Sequence, residues 1–279
     1  MKNNILVIGG NGKTGRKVAN RLKESGHNVR IGSRSALPPF DWDNSQTWTK
    51  AMEGMDKVYI TFQPDLAVPG ALEAIEELTK QAKKCNVKKL VLLSGKGERE
   101  AELCEQVIIH SGINYTIVRA SWFNQNFSES FFLEPILEGF VALPKAEAKV
   151  PYVDTDDIAD VVVEALLNHK HNGKIYQLTG SRSLTFKEVI EQISEATGRN
   201  ILFTPIALPA YTNVMKQQGV PADFIWLIDY LFSEVLVESN SIVTNDIEEV
   251  LGRKAIDFSD YVKATVRTGV WNPSITQTI

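Results

Sequence analysis

Three glycines spaced three residues apart, Gly9, Gly12 and Gly15, are the residues whose type and spacing speak most directly of chemistry. They follow a β-rich apolar run, Ile5-Leu6-Val7-Ile8, and precede a helical pattern with Val18, Ala19 and Leu22 on one face. A strand, a tight turn and a helix N-terminus in that order make the geometry that receives a dinucleotide pyrophosphate. Gly9 permits the turn, Gly12 lets backbone approach the phosphates, and Gly15 lets the helix sit close on the strand. The N–H groups and the positive end of the helix then face the anion. Asn11, Lys13 and Thr14 lie in the same turn and join the glycines as cofactor-binding candidates. The competing reading is a structural turn, since loops are rich in glycine. Placement between a strand and a helix favours the nucleotide.

The second strand, about Asn28 to Gly32, ends in Ser33-Arg34-Ser35. An NAD-preferring site usually carries an acid here to hold the ribose hydroxyls. This chain has Ser33 and Arg34 instead, and a guanidinium suits the extra 2′-phosphate of NADP(H). Arg34 could equally be a solvated loop arginine. The missing acid favours NADP(H), with NAD(H) as the weaker alternative.

The elements that must position these groups follow in order. Phe40-Asp41-Trp42 is expected to end a third strand after the Pro38-Pro39 break, and a helix begins near Gln46. A fourth strand runs from Lys57 to Phe62, leaving Phe62-Gln63-Pro64 at its carboxyl end. Pro69 falls in the first turn of a helix reaching about Cys85. The fifth strand is Lys89 to Leu93, ending in Ser94-Gly95-Lys96-Gly97; a helix from about Glu98 to Ser111 and a sixth strand, Asn114 to Arg119, follow. Ligands of open parallel sheets sit at the carboxyl ends of strands, so Asp41, Phe62, Gln63, Ser94 and Gly95 are further cofactor-binding candidates. Strands alternating with helices, several of them apolar on both faces, mean a parallel sheet covered on both sides. The fold class is therefore α/β, a doubly wound parallel sheet over residues 1–173. A smaller, mostly helical region that covers substrate takes residues 174–279.

Composition narrows the function classes. Lys+Arg 30 against Asp+Glu 34 gives a net charge of −4, so no nucleic-acid surface is indicated. No apolar run reaches the roughly 18 residues of a membrane span. The two cysteines, Cys85 and Cys104, have neither metal-like nor disulfide spacing, which suggests free thiols in a reducing cytoplasm and no metal site. The first strand starts too early to leave space for a signal peptide. Asp154, Asp156 and Asp157 resemble a carboxylate cluster, but they open a helix of the pattern Ile158, Val161, Val162, Ala165. Capping and the helix dipole explain them better than acid–base work.

Together these residues resemble the NmrA-like family of atypical short-chain dehydrogenases. The likeness lies in the glycine triplet, Leu92-Leu93-Ser94, Tyr115-Thr116-Ile117-Val118-Arg119, Phe123 with Asn126, and Val153-Asp154 followed by Asp157-Ile158-Ala159. It covers roughly residues 4 to 200. The Phe40-Asp41-Trp42 and Ala120 to Phe127 segments look most like a bacterial subgroup related to fungal ergot-alkaloid reductases. The resemblance implies a Rossmann-type fold that binds NADP(H). It leaves the reaction open, because the family holds quinone, imine and dye reductases alongside catalytically silent redox sensors.

Ordinary short-chain dehydrogenases use Tyr-x-x-x-Lys on a helix, the lysine making the tyrosine a better general acid. The tyrosines here, at 59, 115, 152, 176, 211, 230 and 261, have no lysine four residues later, and Gly97 and Ala101 fall where the pair belongs. Lys96 and Ser94 are then the catalytic candidates beside the nicotinamide, although a solvated lysine is an equal reading for Lys96. The loop Ser121 to Phe127 brings Trp122, Phe123, Asn126 and Phe127 to the same sheet edge. Each aromatic alone reads as core, but together they make a wall for a flat apolar substrate. The apolar helix Ala222 to Val237 adds Trp226 and Tyr230, either closing over substrate or joining two copies of the chain as a homodimer. The expected function is an NADPH-dependent reductase of small electrophiles such as quinones or iminium ions. The alternative is a non-catalytic NADP(H) sensor that binds a protein partner.

Overall fold

The structure, a computed structural model, describes residues 2–273. The first half of the chain forms β1 (Asn4–Ile8), α1 (Gly15–Glu24), β2 (Asn28–Gly32), α2 (Trp48–Met52), β3 (Lys57–Ile60), α3 (Ala71–Lys84), β4 (Lys89–Gly95), α4 (Arg99–Ile109) and β5 (Asn114–Ala120). Then come α5 (Leu133–Glu138), β6 (Phe140–Leu143), α6 (Thr155–Leu167), β7 (Lys174–Leu178), α7 (Phe186–Thr197) and β8 (Leu202–Pro205). Helices α8 (Leu208–Gln217), α9 (Ala222–Tyr230), α10 (Asp246–Leu251) and α11 (Phe258–Val266) complete it.

Six parallel strands make one sheet in the order β2-β1-β3-β4-β5-β7. The order reverses between β1 and β3, and that switch point is where an open α/β sheet offers its crevice. Alternation along the strands divides the core. Leu6, Ile8, Val58, Ile60, Leu90 and Leu92 share one buried cluster with Trp48 of α2, Ile75 and Leu78 of α3, and Ala101 and Ile108 of α4. On the strands, Ile5, Val7, Tyr59 and Val91 alternate with those residues and are buried as well, while α1 and α6 pack on each other and on the sheet. This is the doubly wound, Rossmann-type arrangement expected from strands apolar on both faces.

The expected third strand at Phe40-Asp41-Trp42 is not one. Asp41 pairs only with Asn44 in an isolated bridge, and the segment turns to stack its rings. Phe40, Trp42 and Trp48 lie 5.0–5.7 Å apart, and Trp42 Nε1 donates to the Thr61 carbonyl. Aromatic packing against β3 has overridden strand propensity. Pro69 lies just ahead of α3, whose N-cap is Gly70. The apolar stretch expected as one helix to Val237 changes at Leu231 into a π-helical turn that ends at Val235.

The chain divides into two compact units, and the division is not a single cut at residue 173. One unit holds residues 1–120, 155–178 and 244–254; the other holds residues 121–154, 179–243 and 255–279. Strand β7 joins the first unit because it pairs with β5. Segment 244–254 joins it through side chains. Asp246 accepts the Gln177 backbone N–H of β7 at 2.5 Å, and Arg253 reaches Asp157 and Asp160 of α6 at 2.5 and 2.6 Å. Asp156 and Asp160 also hold Lys17 and Arg21 of α1 at 2.6–2.7 Å, so the carboxylates of α6 act as ion-pair struts. Lys57 and Lys89 donate to the Leu166 and Asn168 carbonyls at the other end of α6, where cations suit the helix dipole. Burial, with Lys57 alongside, holds the Lys89 ammonium down at about 8.

The second unit centres on stacked rings. Phe127, Phe132, Tyr152, Phe186, Phe232 and Phe258 form its core, with β6 and β8 as a two-stranded parallel sheet. A capping box of Thr185 and Glu188 starts α7, and Asp257 caps α11 while accepting from Ser181 and Arg182. Among the described residues, no helix is long and apolar enough to cross a membrane and no cluster of His, Cys, Asp or Glu could hold a metal ion.

Arg253→Ala should leave the fully buried Asp157 carboxylate without its cation. The expected loss is about 1–3 kcal/mol, the range for removing a charged hydrogen-bond partner from a buried carboxylate, read as a lower urea midpoint. An unchanged midpoint would show that segment 244–254 is not held by this pair.

Candidate functional site

The glycine turn is built by backbone meeting backbone. Gly9 has φ +69°, and a Cβ there would lie 2.1 Å from Thr61 Oγ1 at the end of β3. A Cβ on Gly15 would lie 2.1 Å from the Gly9 carbonyl oxygen, so α1 reaches the turn only because residue 15 has no side chain. Gly12 donates its N–H to the Gly9 carbonyl at 2.8 Å; a Cβ there would touch that oxygen at 3.2 Å and face the Gln63 amide at 3.9 Å. Thr14, the N-cap of α1, makes no side-chain cap, and no acid lies in the first helical turn. The Tyr59 hydroxyl of β3 donates to Thr14 Oγ1 at 3.0 Å and props that helix end. A helix N-terminus with neither cap nor acid, fronted by a turn without side-chain bulk, fits a pyrophosphate. The sequence-expected Gly9, Gly12, Thr14, Gly15 and Gln63 come together here; Asn11 is exposed and Lys13 half-buried on the same turn.

On the adenosine side, Arg34 is exposed at the end of β2 and no ion pair engages it among the described residues. Ser33 faces Ser35, with hydroxyls 3.4 Å apart. Asp41 is occupied locally: its carboxylate accepts the Asp43 N–H and its carbonyl accepts Trp48 Nε1. Phe62 packs on Trp42 with centroids 4.6 Å apart and planes tilted by 53°, which makes it part of the aromatic plug beside β3.

At the carboxyl end of β4 the structure changes the reading of both catalytic candidates. Ser94 is buried and donates to Glu105 Oε1 at 2.6 Å. Glu105, fully buried on α4, is clamped in turn by Arg119 at 2.6–3.0 Å. The serine proton is therefore committed to a carboxylate and not presented to a substrate. Lys96 is only 8% exposed, so the solvated reading fails; burial lowers its ammonium from the usual lysine range. Sequence reasoning missed Glu105, and it missed the ion pair that Arg119 makes with it. Both depend on contacts between distant strands and helices. Arg119 inside an otherwise apolar strand was the one available signal, because a buried guanidinium needs a carboxylate.

In the second unit, Trp122 packs on Phe132, Phe186 and Phe232, with centroids 5.5–6.2 Å apart. Phe127 is 0% exposed among Phe132, Tyr152 and Phe258, so its ring is core and not substrate wall. Phe123 and Asn126 are half-buried in the turn that follows β5. Trp226 is 45% exposed and stacks on Tyr230 at 5.6 Å and 7°, a flat aromatic ledge on α9. Asn124 and Gln125 both donate to the buried Asp154 carboxylate, at 3.3 and 3.0 Å.

Comparison with known proteins agrees with this geometry. A family model described as NAD(P)H-binding matches residues 9–169, and one described as the NmrA-like family matches residues 101–261. The chain is 28% identical to prestalk A differentiation protein A of Dictyostelium discoideum, over 95% of this chain and 93% of that protein. It is 28% identical to agroclavine dehydrogenase of Claviceps fusiformis, over 92% of this chain and 96% of that enzyme. Among solved structures it is similar to the triphenylmethane reductase of Citrobacter sp. complexed with NADP(H). The TM-score is 0.74 at 19% identity, covering 94% of this chain and 99% of that one.

Gly12→Val should abolish NADPH binding in calorimetry while the circular dichroism and thermal unfolding stay those of the parent. The branched side chain must either press on the Gly9 carbonyl or stand in the space before the turn. Undiminished affinity in the folded variant would remove the turn from the nucleotide site.

Proposed function

The chain belongs to the NmrA-like family and carries an NAD(P)H-binding domain, and from that premise we propose that it is an NADPH-dependent reductase of a small, flat, already electrophilic acceptor such as a quinone or an iminium ion. The observation that carries the reading is a dinucleotide turn in a chain with no tyrosine–lysine acid. Gly97 and Ala101 stand where that pair belongs, and the one serine at the strand end spends its proton on Glu105. Bound NADPH supplies the hydride. The residues of this chain bind and orient: the α1 N-terminus and the turn of Gly9 to Gly15 hold the pyrophosphate, and Arg34 reads the 2′-phosphate. Orientation then carries most of the rate, because an electrophilic acceptor needs little help from a protein acid. The stacked Trp226 and Tyr230 ledge, with Trp122 and Phe123, offers the apolar surface suited to a flat molecule. Similarity to a dehydrogenase over nearly the whole chain supports the enzyme.

A second reading, a non-catalytic NADP(H) sensor that binds a protein partner, draws support from the equally extensive similarity to a differentiation protein. Absorbance-monitored NADPH oxidation against a panel of quinones, iminium salts and dyes separates the two. Turnover with at least one member is expected. Tight NADPH binding with none turned over gives the protein to the sensor reading.

Arg34→Ala should weaken NADPH by about 1.5–3 kcal/mol, roughly ten- to a hundredfold, and leave NADH nearly unchanged. Equal losses for both nucleotides would show that the arginine does not read the phosphate.

Lys96→Ala should lower kcat on an active acceptor by less than about tenfold, since a general acid would be worth roughly 10²–10⁴. A loss in that larger range would make Lys96 the proton donor.

A further inference from the structure

The hydroxyl of Ser94 has a fixed direction. The register of β4 on β5 sets Ser94 beside Arg119. Facing residues on neighbouring strands share one side of the sheet. Helix α4 packs on this side, and its Glu105, fully buried, meets both side chains. Glu105 Oε1 accepts from Ser94 Oγ at 2.6 Å, and the carboxylate takes Nε and Nη2 of Arg119 at 2.6–3.0 Å. Arg119 also lies 3.3 Å from Glu102 Oε1. A carboxylate held in such a fork can only accept hydrogen bonds. The proton of Ser94 therefore points at α4.

A hydroxyl oxygen carries two lone pairs besides its proton. Among the described residues no donor is bonded to Ser94 Oγ, although the residue is only 5% exposed. Buried acceptors are normally filled. What stands at the carboxyl end of β4 is an acceptor that lacks a donor.

Strand order indicates which part of a dinucleotide reaches it. From β1 the sheet continues through β3 to β4, two strand spacings of about 4.8 Å each. On the nucleotide reading, adenosine lies toward β2 and the pyrophosphate at the turn after β1. The nicotinamide half then extends over β3 toward β4. Its carboxamide carries an N–H2 donor and a carbonyl acceptor. We propose that Ser94 Oγ accepts the N–H2 of the nicotinamide carboxamide, and that Glu105, held by Arg119, is the positioning residue that gives Ser94 this polarity. The proposal rests on the nucleotide reading of the glycine turn. Ser94 is then a cofactor contact and no proton donor, and Glu105 acts through it.

The test exchanges the donor. In the acetylpyridine analogue of NADP+ a methyl group replaces the N–H2 and the carbonyl stays. Both nucleotides are titrated by calorimetry with no acceptor present. The wild type should bind NADP+ roughly five- to tenfold tighter than the analogue, the fold-change of one neutral hydrogen bond. Glu105→Gln reverses the polarity. Its amide oxygen must face the Arg119 N–H groups, which turns its N–H2 toward Ser94. The Ser94 proton then points outward and suits a carbonyl, which both nucleotides possess, so the preference for NADP+ should disappear. Ser94→Ala, which leaves the Glu105–Arg119 pair in place, should abolish the preference too.

A wild type that binds both nucleotides equally overturns the proposal. So does a preference that survives in Ser94→Ala. A folded Glu105→Gln that weakens both nucleotides in the same proportion leaves the preference intact and rejects the positioning role. If Glu105→Gln does not fold, Ser94→Ala alone decides. A wild type that binds neither nucleotide strikes the nucleotide reading, and the proposal with it; the other outcomes strike the proposal alone.

Discussion

Backbone lies against backbone where α1 meets the end of β1, and the site depends on that contact. The Gly9 carbonyl occupies the space that a Cβ on residue 15 would need, at 2.1 Å. Any larger residue would push the helix away from the strand and carry its N-terminus off the turn. Three other features converge on the same point. Thr61 fills the space over Gly9, Tyr59 supports Thr14, and Gln63 faces Gly12, all from β3 or the residues just after it. The reversal of strand order between β1 and β3 puts these residues side by side. A helix end with no side-chain cap and no acid has its positive pole available for an anion, and the sheet holds it still.

Around that point the first unit holds several of its buried charges in closed sets. Glu105 is met by Arg119 and Ser94, the carboxylates of α6 by Lys17, Arg21 and Arg253, and the last carbonyls of α6 by Lys57 and Lys89. An unpaired buried charge would be costly, so each set is satisfied by a partner distant in sequence. This explains why the chain returns to the first unit at residues 244–254: Arg253 completes the α6 set, and Asp246 occupies the Gln177 backbone donor on the outer strand β7.

Much of this was legible from the residues alone, and what was not has a common cause. Strands β1, β3, β4 and β5 and the glycine turn follow from local pattern, because burial on both faces leaves apolar runs. Phe40-Asp41-Trp42 misled because aromatic residues favour strands in general, while Phe40 and Trp42 pack into a plug with Trp48 and Phe62. Phe127 read as part of a substrate wall from its neighbours in sequence, yet Phe132, Tyr152 and Phe258 enclose it. Ser94 read as a group beside the nicotinamide from its place at the carboxyl end of a strand; its hydroxyl donates instead to Glu105, eleven residues on. In each case side-chain pairing across elements decided the outcome, and pairing of that kind leaves no periodic trace.

The commitment of Ser94 also bears on which acceptors suit the chain. Hydride transfer to a neutral carbonyl makes an alkoxide, and that charge must be met at once by a donor aimed at the oxygen. In this chain the strand-end hydroxyl donates to Glu105, and the tyrosine that would assist it is absent. An acceptor that enters as a cation loses its charge on receiving hydride and needs no such donor. An acceptor that spreads the new charge over a ring needs only a weak one. On the proposed reductase reading, the arrangement at β4 and α4 would select by the charge that develops: it would penalise acceptors that localise an anion and leave flat, delocalised or cationic ones unpenalised.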